Sequence, residues 1–332
     1  MIDKTPVDAV KPFAGLTPDT VLDAAASLGF EGDGRLFALN SYENRVYQMG
    51  RPEGALVLKF YRPGRWSDAQ IAEEHSFTAE LAEAEMAVAS PIVLEGKTLF
   101  RFQEFRFAVF PWMRGRAPEL DAPEARAMLG RSLARIHRIG AVRQFRTRER
   151  LTVDRLGYGA REQLLDTGLL PETLEESYLS ATDALLERVD RVIDEVGNVP
   201  LLRIHGDCHM GNLLWDEHGP VFVDLDDCVT GPAIQDLWML LSGSAADQQT
   251  QWRDLIEGYE QFGELDYAQL RLIEPLRGLR MLHHAAWIAL RWSDPAFPKA
   301  FPWFGSTRFW EGHINDLLEQ VASIDDPPLL SG

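Results

Sequence analysis

The chain has 332 residues, of which 45% are hydrophobic and 25% charged, and its formal net charge is −18. This is the composition of a folded globular protein with length for about two domains. The acidic balance argues against nonspecific binding to nucleic acid or to anionic membranes, since both depend on basic surface. No apolar run approaches the ~20 residues of a membrane helix, and residues 1–6 lack a signal-peptide profile. Two cysteines, Cys208 and Cys228, form no disulfide framework, so we expect a cytoplasmic protein.

The first part of the chain predicts a small, mostly antiparallel sheet with one inserted helix. Thr17 and Pro18 suit the N-cap and the first position of a short helix that Gly29 ends. One longer helix is predicted at residues 69–84. Strand-like runs occur at residues 35–39, 45–49, 56–60, 92–95 and 106–110.

Helical patterns dominate after Pro111, and a β-hairpin near residues 212–224 is the exception. Helices are predicted at residues 122–139, 174–196, 248–262, 267–291 and 307–323. The sequence therefore predicts an α+β fold with two lobes. A β-rich N-terminal lobe would span residues 1–112, and a mainly helical C-terminal lobe would span residues 113–332.

The most informative stretch reads Ile-His-Gly-Asp-Cys-His-Met-Gly-Asn over residues 204–212. Two short apolar runs follow it, separated by a turn-rich segment, and this pattern predicts a β-hairpin. Asn212 enters the hairpin and Asp224 leaves it. Because a hairpin returns the chain on itself, we expect these two side chains to lie together, beside Asp207.

This arrangement offers one carboxylate as a base and an Asn/Asp oxygen pair for a metal. Mg²⁺ prefers such hard oxygen ligands, and phosphoryl transfer needs a metal on the phosphates and a carboxylate that orients and deprotonates the attacking hydroxyl. The pattern therefore predicts Asp207 as the base and Asn212 and Asp224 as Mg²⁺ ligands. His205 is expected to hold the loop by hydrogen bonds. A zinc site or a nucleophile at Cys208 is disfavoured, because a four-ligand set and an oriented base are both lacking.

Lys59 lies in the third strand run, where the ammonium of a two-lobe kinase can reach the α- and β-phosphates of ATP. In the following helix, Glu74 lies on the apolar face and Glu73 on a partly polar one. A carboxylate on the apolar side needs a cation, and Lys59 is the candidate. Glu80 and Glu83 are expected to be solvated.

Two further segments are candidates for nucleotide contacts. Residues 40–45 lie between two strand runs, where a loop over the phosphates would sit, and Ser41 and Asn44 can donate hydrogen bonds there. This loop has no glycine. At the lobe boundary, Met113 is the candidate for a backbone contact with adenine, since Pro111 has no N–H to donate.

Together these residues resemble the aminoglycoside phosphotransferase/choline kinase superfamily, which shares the protein-kinase fold, and within it the bacterial stress response kinase group. The resemblance covers nearly the whole chain. The matching stretches are residues 39–47, 59–63, 204–212, 223–227, 231–239 and 294–298.

The resemblance implies an ATP-dependent serine/threonine protein kinase of the bacterial cytoplasm that acts in stress response. Asp207 would be the base, Asn212 and Asp224 the Mg²⁺ ligands, and Lys59 with Glu74 the ion pair that orients the phosphates. ATP would be the phosphoryl donor. The acceptor would be Ser or Thr on a protein, with this chain itself as one candidate, and we expect a monomer.

Two other functions stay open at this point. A small-molecule kinase for an amino alcohol, a sugar or an antibiotic would use the same residues, because phosphoryl transfer needs the same parts whatever hydroxyl attacks. Trp287, Trp292 and Trp303 could line a pocket for a quaternary amine or could pack in the helical core. A catalytically dead nucleotide-binding scaffold is the third function, and the presence of Lys59 and Asp207 argues against it.

Overall fold

The structure is a computed structural model that describes residues 12–328 and 330. The prediction about residues 1–6 lies outside this range. The helices are α1 Pro18–Ala26, α2 Asp68–Glu83, α3 Pro123–Val142, α4 Gly159–Asp166, α5 Glu172–Val196, α6 Ile234–Trp238, α7 Ala245–Tyr259, α8 Ile273–Leu290, α9 Ala296–Ala300 and α10 Thr307–Asp325. The strands are β1 Leu36–Leu39, β2 Arg45–Met49, β3 Leu56–Phe60, β4 Phe100–Phe102, β5 Phe105–Pro111, β6 Leu201–Ile204, β7 Leu213–Asp216, β8 Gly219–Phe222 and β9 Val229–Pro232.

Most predicted elements are present, and two predictions are wrong in an informative way. The strand expected at residues 92–95 is reduced to one bridge between Leu94 and Lys97, because the chain turns there. The helix expected from residue 267 begins as a 3₁₀ turn before α8. Pro275 explains this break, since it has no N–H to bond the carbonyl four residues earlier. Over residues 12–328 and 330, none of the helices combines the length and the apolar character needed to cross a membrane.

The first of two compact units comprises the chain up to His75, Ser90–Trp112 and Arg291–Pro302. Its centre is a five-stranded antiparallel sheet in the order β1-β2-β3-β5-β4. Phe60 and Phe107 stack on neighbouring strands with ring centroids 5.2 Å apart and are fully buried. The sheet places β3 between two partners, so the backbone of its residues is fixed from both sides.

Arg62, just after β3, connects the late segment of this unit to the sheet. Its guanidinium lies 2.7 Å from Asp294 Oδ2 and 3.0 Å from Glu43 Oε1, and all three residues are buried. Arg291 adds a second cation, 2.6 Å from Glu43 Oε2. Buried charges require such partners. Arg62 and Asp294 are 232 residues apart in the sequence, so no local pattern predicts their contact.

The second unit comprises Ser76–Ala89, Met113–Leu290 and the chain from Trp303 onward. Two small antiparallel strand pairs, β6 with β9 and β7 with β8, lie among its helices. The backbone N–H of Ala89 bonds the carbonyl of Phe222 at 3.0 Å. This bond attaches the first segment of the unit to the β7–β8 hairpin.

Glu80 is not solvated, contrary to the prediction. Both of its carboxylate oxygens bind Arg203 on β6, at 3.1 and 2.7 Å, and the Arg203 guanidinium lies 4.6 Å from the centre of the Phe77 ring. Burial raises the pKa of Glu80, but the hydrogen bond and the charge of Arg203 outweigh burial and hold that pKa below its ordinary value. Glu83 is exposed, as expected.

Helices α3 and α7 lie in close contact because each has a glycine at the crossing. A Cβ on Gly130 would lie 2.0 Å from the carbonyl oxygen of Leu255, and a Cβ on Gly258 would lie 1.9 Å from the carbonyl oxygen of Ala127. Backbone atoms cannot move aside as a side-chain end can. These two glycines therefore set the distance between the helices that support the second unit.

We expect Gly258→Ala to destabilise the protein by about 1–3 kcal/mol, as overpacking does. Gly312→Ala in α10 is the matched control, because a Cβ there meets no atom within 4 Å. The control should gain about 0.5–1 kcal/mol from the better helix propensity of alanine. Urea unfolding measures both changes in the free energy of unfolding, and a stabilised Gly258→Ala protein would contradict the close helix contact.

Candidate active site

Strands β7 and β8 form the predicted hairpin. Asp216 Oδ1 accepts two backbone N–H bonds, at 2.7 and 3.1 Å, and closes its turn. At the open end, the N–H of Val223 donates to the carbonyl of Asn212 at 3.1 Å. The structure therefore places Asn212 beside the residue that precedes Asp224, as the hairpin prediction requires.

The loop between β6 and β7 folds back so that Asp207 meets Asn212. The side-chain Nδ2 of Asn212 donates to the backbone carbonyl of Asp207 at 2.9 Å and to its Oδ2 at 3.2 Å. The backbone N–H of Asn212 also bonds the carbonyl of His209 at 2.9 Å. Since Nδ2 faces Asp207, the amide oxygen of Asn212 stays available as a ligand.

Asp224 is exposed and has left-handed backbone angles, φ 56° and ψ 59°. Such a conformation costs a residue other than glycine about 1–2 kcal/mol, and strained residues of this kind cluster at functional sites. The next turn is held by Arg148, which donates to the carbonyl of Asp226 and, at 2.6 Å, to that of Cys228. Arg148 thus fixes the turn that immediately follows Asp224.

Asp236 on α6 binds the backbone at the start of this loop, and the sequence analysis gave Asp236 no role. Its fully buried carboxylate accepts the backbone N–H groups of His205 and Gly206, each at 2.8 Å. His137 Nε2 lies 3.1 Å from Asp236 Oδ2, and its Nδ1 lies 2.9 Å from Tyr259 Oη. The only available sign of Asp236 was its place in the resembling stretch at residues 231–239.

His205 has the expected loop-holding role. Its side chain is fully buried and its Nε2 donates to the carbonyl of Val223 at 3.1 Å. Gly206 follows with φ 82°, and a Cβ on it would lie 2.4 Å from the carbonyl oxygen of Asp227. Only glycine fits this position, because the left-handed turn and the close backbone contact both exclude a side chain.

Arg280 on α8 is a second residue that sequence reasoning missed. Its Nη1 lies 2.8 Å from Asp207 Oδ1, and His209 Nε2 lies 3.4 Å from the Oδ2 of the same carboxylate. Burial raises the pKa of Asp207, but the hydrogen bond from His209 and the charge of Arg280 outweigh it and hold that pKa below its usual range. Asp207 is therefore ionised at neutral pH, as a base must be.

Cys208 does not have the properties of a nucleophile. It is fully buried, and burial together with the charges of Asp236 and Asp207 raises the pKa of its thiol well above the ordinary value. The reactive form of cysteine is the thiolate, which this environment disfavours. The structure thus agrees with the argument against cysteine catalysis.

In the first unit, the structure brings Lys59 and Glu74 together. Lys59 lies on the central strand β3, and its Nζ is 3.4 Å from Glu74 Oε1 on α2, with both side chains buried. Glu73 is half-buried, so the helix phase deduced from the apolar pattern is correct. The ammonium also lies 5.2 Å from the centre of the Tyr61 ring.

Ser41 and Asn44 form the tight turn between β1 and β2. The Ser41 hydroxyl oxygen accepts the backbone N–H of Asn44 at 3.3 Å, and the Asn44 side-chain oxygen accepts the N–H of Arg62 at 3.1 Å. These bonds fix the loop that was expected over the phosphates. Met113 is half-buried and lies in the second unit, two residues after the end of β5.

The tryptophans considered for an amine pocket do not all pack in the core. Trp303 is 44% exposed, which contradicts a core position for this residue. Trp287 is half-buried and stacks on His284 with ring centroids 5.7 Å apart.

Comparison with known proteins shows the family of this chain. Residues 36–273 match the family described as the phosphotransferase enzyme family, APH. The chain belongs to this family. Stress response kinase A of Escherichia coli (strain K12) is 44% identical over 318 residues, which cover 96% of this phosphotransferase and 96% of the relative. Serine/threonine protein kinase RdoA of Salmonella typhimurium is 43% identical over 318 residues, which again cover 96% of each protein.

Solved structures share the fold of this phosphotransferase. The structure of an amicoumacin kinase aligns with a TM-score of 0.73 and 20% sequence identity. The alignment covers 94% of this chain and 95% of the amicoumacin kinase. A microcompartment-associated aminopropanol kinase has a TM-score of 0.65 and 20% identity, covering 92% and 96%. The predicted kinase-like α+β fold and the resemblance to the stress response kinase group are therefore confirmed. The protein is a phosphotransferase of the APH family.

We expect Asp236→Ala to lower the free energy of unfolding by about 3–5 kcal/mol, because it strands two buried backbone N–H groups and His137. Asp216→Ala is the matched control. It also removes a carboxylate that accepts two backbone N–H bonds, but in a turn that water reaches. The control should cost about 1 kcal/mol. Equal losses in denaturant unfolding would show that Asp236 does not hold the loop.

Proposed function

We propose that this phosphotransferase is a serine/threonine protein kinase that acts in stress response. The observation that carries the proposal is the contact of Asp207 with Asn212, 3.2 Å apart at the mouth of the hairpin that leads to Asp224. Relatives that are 43–44% identical over 96% of the chain are named stress response kinase A and serine/threonine protein kinase RdoA. Their names support a protein acceptor and a role in stress.

In this proposal Asp207 is the base. Its ionised carboxylate accepts the proton of the attacking hydroxyl as the new bond to the γ-phosphorus forms and the bond to the β-phosphate oxygen breaks. The hydrogen bond from Asn212 Nδ2 and the ion pair with Arg280 fix both carboxylate oxygens. An alcohol such as Ser or Thr suits this chemistry, since the hydroxyl carries the proton that Asp207 takes.

The amide oxygen of Asn212 and the carboxylate of Asp224 fit Mg²⁺. Both are hard oxygen ligands at the open end of one hairpin, and Asp224 is exposed. When bound, the ion would neutralise charge on the phosphates. The related amicoumacin kinase structure contains AMP-PNP and Ca²⁺, which supports a divalent cation together with an ATP-like donor.

Residues of the first unit supply the phosphate contacts of this proposal, and Met113 of the second unit supplies the adenine contact. Lys59, held by Glu74 on a central strand, would orient the α- and β-phosphates. Ser41 and Asn44 would cover the phosphates from their hydrogen-bonded turn. Met113 would offer its backbone to adenine.

A small-molecule kinase is the second candidate, and one feature of the second unit favours it. A cavity of about 300 Å³ opens beside Met210, which lies between Asp207 and Asn212 in the sequence. Its lining is mixed: leucines such as Leu120 and Leu240 lie there together with Glu119, Asp121, Arg126, Ser242 and Gln251. Pockets of ~300–1,000 Å³ are the usual size for small ligands. The acceptor therefore has to be determined by experiment.

Incubation with ATP labelled in the γ-phosphate and with Mg²⁺ tests both candidates. The acceptors are the protein itself, one basic and one acidic test protein, and a panel of amino alcohols and sugars. We expect phosphoserine or phosphothreonine in protein, and a loss of about 10²–10⁴-fold in Asp207→Ala, the value of general-base assistance. Label in a small molecule alone would reject the protein acceptor, and normal turnover of the variant would reject Asp207 as the base.

We expect Glu74→Gln to lower the transfer rate by at least about tenfold, equivalent to ~1.4 kcal/mol in the barrier. The substitution removes the charge that holds Lys59. Glu73→Gln is the control with the same chemistry on the neighbouring, half-buried position, and it should stay within about twofold of the wild type. Steady-state kinetics at varied ATP, with melting temperatures for both proteins, give the comparison. The reverse ranking would make Glu73 the functional residue.

A further inference from the structure

The contact between Arg280 and Asp207 places the positive charge of a guanidinium directly beside the proposed base. Arg280 Nη1 lies 2.8 Å from Asp207 Oδ1, and the Arg280 side chain is 40% exposed against 24% for Asp207. Asn212 and His209 contact the other oxygen, Oδ2. The two carboxylate oxygens therefore have different partners, and the partner of Oδ1 is a side chain that solvent still reaches.

An arginine can do more at this place than hold a carboxylate. The guanidinium has five N–H donors in a planar fork, and this fork matches the oxygens of a phosphate as well as those of a carboxylate. One nitrogen of Arg280 is used on Asp207, and the exposed fraction of the side chain shows that part of it is still accessible. Arg280 can therefore bind an anion without moving far from Asp207.

A second arginine on the same helix shows what a purely structural role looks like. Arg277 lies three residues before Arg280, pairs with Glu274 at 3.2 Å and covers the ring of Trp238 at 5.2 Å. Its partners lie on its own helix and on α6. Arg280 instead reaches across to the loop that carries the proposed base.

We propose that Arg280 is a catalytic residue that contacts the transferred phosphoryl group. The proposal rests on the proposed function, because it takes Asp207 as the base. In the step, the O–H bond of the acceptor breaks and its proton goes to Asp207. The acceptor oxygen forms a bond to the γ-phosphorus, and the bond to the β-phosphate oxygen breaks with its electron pair leaving on ADP.

This step changes the charge around Arg280 in a useful way. Asp207 becomes neutral when it takes the proton, so the guanidinium loses its counter-ion at the moment when charge moves across the phosphoryl group. A general base lies ~3 Å from the hydroxyl oxygen, and that oxygen lies ~3–3.5 Å from the phosphorus before attack. A side chain in contact with Asp207 is therefore within reach of the phosphoryl oxygens. Arginines that contact this group in other phosphoryl-transfer enzymes contribute ~10³–10⁵-fold to the rate.

The test measures binding of a phosphoryl-group mimic, so it does not depend on the identity of the acceptor. The probe is ADP with Mg²⁺, with and without aluminium fluoride, and calorimetry gives the dissociation constants. We expect Arg280→Gln to weaken the fluoride-dependent complex by about 10²-fold and to change ADP binding alone by less than about threefold. Arg280→Lys, which keeps the charge, should recover part of the loss, and Arg277→Gln should behave as the wild type. Unchanged affinity of the Arg280→Gln complex would overturn the proposal.

A comparison in the Asp207→Asn background separates contact with the phosphoryl group from a role through Asp207. If Arg280 contacts the phosphoryl group, Arg280→Gln will weaken the aluminium fluoride complex in this background too. If Arg280 only positions Asp207, the substitution will have no further effect there, and the proposal is wrong. Thermal melting of each variant identifies a folding defect, and partial restoration of Arg280→Ala by added guanidinium ion shows that the lost group itself is needed.

The outcome is distinguishable from a failure of the proposed function. If wild-type protein transfers no label from ATP to any acceptor, the kinase proposal fails whatever Arg280 does. If the wild type transfers label and binds the mimic, but Arg280→Gln binds it equally well, the kinase proposal stands and only the role of Arg280 is rejected.

Discussion

The geometry of the candidate site depends on the hydrogen bonds that the carboxylate of Asp236 accepts from the backbone. This carboxylate is fully buried and accepts two successive backbone N–H groups, those of His205 and Gly206, immediately before Asp207. Hydrogen bonds to a charged acceptor are about twice as strong as neutral ones. These bonds are made to the backbone, so they fix the direction in which the chain enters the loop. The positions of the loop's side chains depend on that direction.

The same principle recurs in the rest of the molecule, where buried ions fix segments that are distant in sequence. Arg62 connects the turn after β3 to Asp294, and Arg203 connects β6 to Glu80 on α2. Removing both members of such a pair can be neutral, but losing one strands a buried charge. These pairs therefore specify which segments belong together more than they add net stability.

Local patterns predicted much of the fold and of the candidate site for identifiable reasons. The hairpin followed from apolar runs around a turn, and Glu74 followed from the period of an amphipathic helix. The errors have equally local causes. Pro275 interrupts a helix that its flanking pattern favours, and the turn at Leu94 replaces a strand because only one bridge forms there. The roles predicted for Lys59 and the hairpin residues came from their chemistry and spacing, and the family resemblance implies the same roles.

The sequence by itself determined the family, the α+β class and the candidate residues for phosphoryl transfer, because those residues lie in short motifs or on regular elements. Only the tertiary structure decided which distant side chains support them. Asp236 and Arg280 are charged residues on helices. The resembling stretch at residues 231–239 includes Asp236 without giving it a role, and no motif in the sequence analysis includes Arg280. Packing brings both residues to the candidate site: it buries the carboxylate of Asp236 against the loop and places the guanidinium of Arg280 2.8 Å from Asp207. Contacts of this kind depend on how helices pack, and helical periodicity does not encode that choice.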